Sequence, residues 1–382
     1  MTDRPAGASA PAAHSAPVRA EAVVDLGAIA SNIAALRARL APGVGFMAVV
    51  KADAYGHGMP AVARTAVAHG AAMLGVATLG EAEQAAALGV DVPVLAWLWL
   101  PGEDIGPALG AGVQLAISSA DHLAAVLAAA KERVQVHLKV DTGLSRNGVP
   151  VAAVPALLDS MGPALRAGRL DVVGLMSHLA SADVPGDPSV SEQTKAFRNV
   201  EDLLSRSGIT PRWRHLANTP GLLEHPDAHF DLVRPGIGLY GITPVADPAG
   251  LRPAMTLRSR VALVKRVPAG TGVSYGLTFR AARDTTLALV PLGYADGIPR
   301  AASNVGEVMI GGRRRRIAGR VAMDQFVVDC GDDDVRSGDD IIVFGPGGQG
   351  EATAEEWAAA CGTIGYEIVT RIGPRVPRRY LP

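Results

Sequence analysis

The chain is predicted to be an α/β protein, with an N-terminal (β/α)8 TIM-type barrel followed by a mainly-β domain. Three observations carry this. Between about Ala22 and Gly241, short β-rich runs alternate with alanine-rich stretches long enough for a crossover helix. The runs are almost continuously apolar, as strands covered on both faces of a parallel sheet must be. After Pro253 the alternation stops, and strand-like runs follow one another through glycine-rich turns. A doubly wound open sheet is the alternative for the first half.

Taken in order, residues 1–19 (MTDRPAGASAPAAHSAPVR) are rich in Ala, Pro and Ser and contain no apolar segment. They read as a disordered tail and not as a signal peptide. The barrel is expected over 20–250. Its strand runs are AVVDL, GFMAVVKA, MLGVA, PVLAWLW, VQLAIS, VQVHLKVD, LDVVGLMSH and WRHLAN, with FDLVRPGIGLYG last. Stretches such as GAIASNIAALRARL, GEAEQAAALG, ADHLAAVLAAAKE and SEQTKAFRNVEDLLSRS supply the helices between them. The second domain is expected over 251–382. It contains AMTLRSRVALVKRV, TTLALVPLGYADG, RRRRIAGRVAMDQFVVDC and DDIIVFG as strands, and one helix at TAEEWAAACG. No solenoid-type repeat is visible.

Composition narrows the function. The 382 residues are 48% hydrophobic and 19% charged, which suits two domains with large cores. A net charge of −1 gives no field that would favour nucleic acid or an anionic membrane. The one dense charge block, Arg313–Arg316, reads as a solvated hairpin edge before it reads as a nucleic-acid patch. With only Cys330 and Cys361, neither a disulfide framework nor a cysteine metal cluster is available. No stretch approaches the ~18 apolar residues that span a bilayer. A cytoplasmic protein is expected.

In a parallel barrel the C-terminal strand ends converge on one face, where active sites are built. Those ends carry Lys51, then Lys139 and Asp141 with Arg146 in the next loop, then His178, then His215 and Asn218, then Arg234. A lone histidine at a strand end is most often a satisfied structural residue; five polar ends on one face are harder to assign to chance. The histidines lie on separate strands without carboxylate company, so no metal site is expected. No G-x-x-x-x-G-K-[ST] phosphate loop occurs. RPGIG, residues 234–238, has the glycines to present backbone N–H groups to a phosphate, helped by the hydroxyls of Thr219 and Tyr55. Alone, it would read equally well as a tight strand exit. Lysine plus phosphate cradle together suggest pyridoxal 5′-phosphate held as a Schiff base.

The run AVVKADAYGHG, residues 48–58, resembles the pyridoxal-phosphate attachment motif of alanine racemases. HLKVDTGLSRNG, MSHLASAD, RHLANTPG, VRPGIGLYG, SYGLTF, PLGYADGIPR, VAMDQFVVD and YEIVTRIGPRVPR resemble that family's other signatures, in order, over nearly the whole chain outside the tail. The resemblance implies that Lys51 carries the cofactor and acts as one base. It implies that Tyr275, from the second subunit of a homodimer, is the opposite base. Two bases are wanted because inverting a centre means taking a proton from one face and returning one to the other.

Other roles carry over in the same way. Tyr275, His178 and Arg234 would form a hydrogen-bonded chain, with Arg234 facing the pyridine nitrogen and His215 orienting it. Tyr55, Thr219, Gly236, Ile237 and Tyr366 match phosphate-binding positions, and Asn218 is grouped with the cofactor-binding set. Thr219 stands where serine is commoner but keeps the hydroxyl. Arg146 matches an arginine near the cofactor's phenolic oxygen and the substrate carboxylate. Lys139 matches a lysine that is carbamylated in many members and positions that arginine. Met323 and Asp324 match the partner-subunit edge of the substrate site, and Tyr294 an entrance residue. The implied activity is interconversion of L- and D-alanine, supplying D-alanine for peptidoglycan. A pyridoxal-phosphate decarboxylase of basic amino acids shares the layout, but its substrate-region cysteine and glycine-rich phosphate stretch are not found here. A non-catalytic pyridoxal-phosphate-binding protein would resemble the first domain alone. Without the family likeness, Tyr275 would pass for a hairpin aromatic and Met323 for core filler.

Overall fold

The computed structural model describes residues 18–246 and 250–382, so the expected tail lies outside the described residues up to position 17. The first strand, β1 (Ala20–Asp25), is followed by a nearly closed ring of parallel strands. These are β2 (Gly45–Val49), β3 (Met73–Val76), β4 (Val94–Ala96), β5 (Gln114–Ile117), β6 (Val134–Asp141), β7 (Leu170–Met176), β8 (Trp213–His215) and β9 (Leu232–Val233). β9 pairs back onto β2. Met47, Met73, Leu95, Ala116, Met176 and Leu232 pack together as one apolar cluster, with Trp97 and Trp213 against it. Large side chains fit because some strand positions are glycine: a Cβ on Gly75 would lie 2.7 Å from the Met47 sulfur.

One strand departs from the sequence reading. AVVDL, expected in the barrel, pairs antiparallel with Met255–Arg260 and parallel with Arg378–Leu381. Its apolar run suits either sheet, and only long-range pairing decides between them. β1 therefore sits inside the six-stranded sheet of the second domain. The ring still has its eight strands, because the FDLV run supplies β9.

The second domain adds a three-stranded sheet of Leu263–Val267, Thr285–Val290 and Phe326–Gly331. The expected helix is present as Ala354–Cys361, opened by a reciprocal Thr353–Glu356 capping box. A second short helix, Gly365–Thr370, carries Tyr366 and was not foreseen; six residues with three β-branched members give too little periodicity to read. Arg313–Arg316 is the edge strand of the six-stranded sheet. Its arginines pair with acids of their own chain: Arg313 and Arg315 with Asp333, Arg314 with Glu307 and Glu356, and Arg316 with Glu307. Among the described residues no helix is long and apolar enough to cross a membrane.

The seam between β8 and β9 is where the ring closes. The Asp231 amide donates to the Arg214 carbonyl at 3.0 Å and the Arg234 amide to the Ala217 carbonyl at 2.9 Å. Across this seam Arg214 grips the Asp231 carboxylate with two nitrogens, at 2.6 and 2.7 Å. Burial pushes the Asp231 carboxyl up, but the Arg214 hydrogen bonds outweigh it and hold it below its ordinary value. A carboxyl lowered by folding stabilises fully above its unfolded pKa of about 4, and the gain fades as pH falls through the folded value. Allowing for solvent exposure, Asp231→Asn is expected to cost about 1–2 kcal/mol at neutral pH. In urea denaturation the gap to wild type should narrow on acidification; a gap independent of pH would exclude the staple.

Candidate active site

The run AVVKADAYGHG bends sharply at Lys51. On leaving β2 the chain enters a short turn in which Ala52, Asp53, Ala54 and Tyr55 have φ of 52, 52, 54 and 53°. Each non-glycine residue in this left-handed region costs about 1–2 kcal/mol, so the surroundings must hold the turn in place. Glu81 accepts the Ala52 amide at 2.6 Å with one carboxylate oxygen and the Ala77 amide at 2.8 Å with the other. The Asp53 carboxylate accepts the Met59 amide at 2.8 Å, and Arg378 donates to the Gly56 carbonyl at 2.9 Å. Both glycines are demanded by space as well as by φ. A Cβ on Gly56 would lie 2.4 Å from the Val369 carbonyl oxygen, and one on Gly58 would lie 1.9 Å from the Tyr380 hydroxyl. Glu81 was missed from sequence, although Thr78-x-x-Glu81 is a legible capping box, and it is formed here.

Lys51 opens into a cleft of about 300 Å³ at the C-terminal end of the ring. Tyr55, Lys139, Arg146 and His178 line it beside Lys51, and so do Asn218, Thr219, Arg234, Gly236, Ile237 and Tyr366. Trp97 and Met176 complete an apolar wall that was not foreseen. A groove of about 590 Å³ lies elsewhere, along the helix Ser189–Arg206, but holds none of the strand-end groups.

One corner of the cleft is rich in hydroxyls. The Thr219 hydroxyl accepts the Gly236 and Gly238 amides at 3.1 and 3.3 Å. Gly236 must be glycine here, because a Cβ would fall 2.3 Å from the Tyr55 hydroxyl. The Tyr55 and Tyr366 rings stand 6.3 Å apart, and burial raises both phenols, so both remain donors. Asn218 also serves the local fold, because its side-chain oxygen caps the helix Thr219–Glu224 by accepting the Gly221 amide at 3.0 Å.

The opposite corner is built on Arg234. Its guanidinium donates to the carbonyls of His215 at 2.6 Å, Ser177 at 2.5 Å and Leu216 at 3.2 Å. It also reaches the Nδ1 atoms of His215 at 3.1 Å and His178 at 3.3 Å. Burial brings Arg234 down to about 9, which leaves it a cation at neutral pH. Burial, then the Arg234 charge, drives His178 and His215 well below the ordinary histidine value, so both are neutral. His215 stands behind Arg234 and does not line the cleft.

Both lysines hold their protons less tightly than a free lysine does. Burial and then Arg146 lower Lys51, with Glu81 opposing. Lys139 falls to about 8 through burial, then Arg234, Arg146 and Lys51, with Asp141 opposing. The Asp141 carboxylate is occupied by the Gly143 and Ser145 amides, at 3.0 Å each. Chemically this is a small cationic cleft with a nucleophilic amine, an anion corner and a fixed guanidinium.

Tyr275, Tyr294, Met323 and Asp324 are not brought to this cleft in a single chain. They lie in the second domain. Tyr275 is 70% exposed and Met323 54%. The Tyr294 and Ala295 amides donate to the Ala322 and Met323 carbonyls at 3.0 and 2.9 Å, so these two loops move as one. Asp324 pairs with Arg375 at 2.8 Å. Among the described residues, no three His, Cys, Asp or Glu side chains gather as a metal site would require.

Residues 24–244 match the family model "Alanine racemase, N-terminal domain", and residues 254–380 match "Alanine racemase, C-terminal domain". The chain belongs to the alanine racemase family. The family is one of isomerases. An alanine racemase of Frankia casuarinae is 53% identical over 390 aligned positions, covering 100% of both chains. The crystal structure of alanine racemase from D-cycloserine-producing Streptomyces lavendulae is 48% identical, with a TM-score of 0.93 over 96% of this chain and 98% of that one. An alanine racemase from Bartonella henselae, solved with covalently bound pyridoxal phosphate, is 29% identical with a TM-score of 0.85, covering 96% of this chain and 100% of that one.

Within this alanine racemase fold, Glu81 is the anion that resists loss of the Lys51 proton. In Glu81→Gln the pKa of Lys51 is expected to fall further, read from the pH dependence of its reaction with a small aldehyde. An unmoved profile would mean that Glu81 serves the backbone turn alone.

Proposed function

We propose that this chain racemises alanine with pyridoxal 5′-phosphate, using Lys51 and Tyr275 as bases on opposite faces. The observation that carries the reading is a half-buried lysine of lowered pKa between an anion corner and a fixed arginine. The residues fit the cofactor. Gly236 leaves beside the Tyr55 hydroxyl the space that a Cβ would fill, and Thr219 already gathers two backbone amides there. The Bartonella relative, solved with the cofactor covalently bound, supports the same assignment.

When bound, pyridoxal 5′-phosphate draws electrons from the substrate's Cα and makes its hydrogen acidic. Thr219, Tyr55, Tyr366 and the Gly236 and Ile237 amides would hold the phosphate, with Asn218 capping the helix that carries Thr219. Arg234 would face the ring nitrogen as a donor, fixed by His215 and His178. Arg146 would take the substrate carboxylate. Lys51 would move a proton on one face of Cα, which its lowered pKa favours because a base must be unprotonated. Tyr275 would serve the other face from a second copy, and Met323, Asp324 and Tyr294 would border the same site. The phenol of Tyr275 and the side chains of Leu277 and Met323 are exposed, as groups reaching for another copy's site would be. Such a homodimer would supply D-alanine for peptidoglycan in the cytoplasm. We further assign Lys139 as a carbamate: its neutral amine adds CO2 through a new Nζ–C bond and releases one proton, placing an anion among three cations.

Two experiments test this reading. Lys51→Ala and Tyr275→Phe are each expected to abolish alanine racemisation, Tyr275→Phe by blocking proton abstraction from the L-isomer. Mixing the two inactive proteins should restore about a quarter of wild-type activity, because one site of each mixed dimer is intact. The wild-type gene alone should relieve the D-alanine requirement of a racemase-deficient bacterium. No recovery on mixing would place both bases in one chain, and CO2 release from lysine or arginine would favour a decarboxylase. Cofactor binding without turnover would favour a non-catalytic carrier. For Lys139, native mass spectrometry in bicarbonate should show the added mass of one CO2, absent from Lys139→Met; equal masses would refute the modification.

A further inference from the structure

We propose that Arg234 is oriented by a one-directional hydrogen-bond relay through the barrel interior, with His137 and Gln114 as its positioning residues. Behind Arg234, His215 Nε2 lies 2.8 Å from His137 Nδ1, and His137 Nε2 lies 2.8 Å from the Gln114 side-chain oxygen. The Gln114 amide nitrogen then donates to the Gln135 side-chain oxygen at 2.8 Å. Both imidazoles are completely buried, whereas Gln135 is exposed. Residues 135, 137 and 139 alternate onto one face of β6. The strand thus presents a column from solvent at Gln135, through His137, to Lys139 in the cleft.

The direction follows from the arginine. A guanidinium has donors and no acceptor, so His215 must accept at Nδ1. A neutral imidazole has one N–H, which His215 therefore carries on Nε2 and donates to His137 Nδ1. By the same count His137 carries its proton on Nε2 and donates to Gln114. Every link is set by the one before it. Neutrality of both rings is supported by burial and, second, by the Arg234 charge, which bring His137 to about 3 and His215 well below the ordinary value.

The barrel makes room for this. A Cβ on Gly174 of β7 would lie 2.0 Å from His137 Nδ1, so the ring occupies space that any other residue would fill. The strands around it contribute a cluster of Met, Leu and Ala, in which unpaired polar atoms would be costly. The relay ends on a neutral amide, not on a carboxylate. No anion behind Arg234 can draw its proton away, and toward Arg234 His215 can only accept. The direction of the relay is independent of any ligand; its use in holding Arg234 against a cofactor ring rests on the function proposed above.

The experiment is ¹⁵N-histidine NMR on the protein without cofactor, in wild type, Gln114→Glu and Gln114→Met. In wild type, His215 and His137 are expected to carry N–H on Nε2 and a bare Nδ1. A carboxylate at 114 would let His137 hold protons on both nitrogens. His137 would then donate to His215 and push the His215 proton onto Nδ1, against Arg234. Gln114→Glu should show that reversed tautomer and bind pyridoxal 5′-phosphate about tenfold or more weakly, although residue 114 does not line the cleft. Gln114→Met removes the acceptor without supplying charge, and His215 should keep its wild-type tautomer. Nδ1–H on His215 in wild type, or wild-type tautomers and affinity in Gln114→Glu, would overturn the proposal. If Gln114→Glu does not fold, the wild-type spectrum and Gln114→Met still decide. Correct tautomers without racemisation would instead count against the proposed function.

Discussion

Uncompensated positive charge at the mouth of a closed barrel is the constraint on which this site depends. Lys51, Lys139, Arg146 and Arg234 share one small cleft. The carboxylates that act on its lysines, Glu81 and Asp141, are bound to backbone amides. Cations held together away from water lose protons where they can and attract anions where they cannot. The lysines lean toward the first course and the arginines take the second. The proposed base at Lys51 and carbamate at Lys139 would draw on that division, which also suits the cleft to a phosphate and a carboxylate.

Aiming Lys51 into that cleft requires a backbone conformation that L-residues avoid. Its support is distributed across the chain. Glu81 holds the turn from the barrel side, whereas Val369, Arg378 and Tyr380 press on it from the C-terminal domain. The second domain is thus more than a carrier of Tyr275. It encloses the Lys51 turn of its own barrel, and β1 belongs to its sheet.

The polar interior of the barrel belongs to the same logic. A buried arginine needs acceptors, and three backbone carbonyls with two imidazoles supply them. Carbonyls satisfy the charge without neutralising it. The histidines fix how the plane of the guanidinium lies, because each can offer only a lone pair. Four uncharged side chains then carry this orientation across the apolar packing to solvent.

Much of this protein is legible in its amino-acid order, where local rules suffice. Alternation of apolar runs with alanine-rich stretches specifies parallel strands covered by helices, since strands covered on both faces cannot alternate in polarity. Lys51, Lys139, His178 and Arg234 stand out because charge at a strand end interrupts an otherwise apolar run. Glu81 was readable as a capping box, although its grip on the Lys51 turn was not. His137 and Gln114 were hidden, since a single polar residue inside a strand does not show which way it faces or what it meets. The sheet that β1 joins, the left-handed strap after Lys51 and the relay behind Arg234 all depend on residues distant along the chain. Pairing, close approach and proton direction are relations between such segments, and tertiary structure alone decides them.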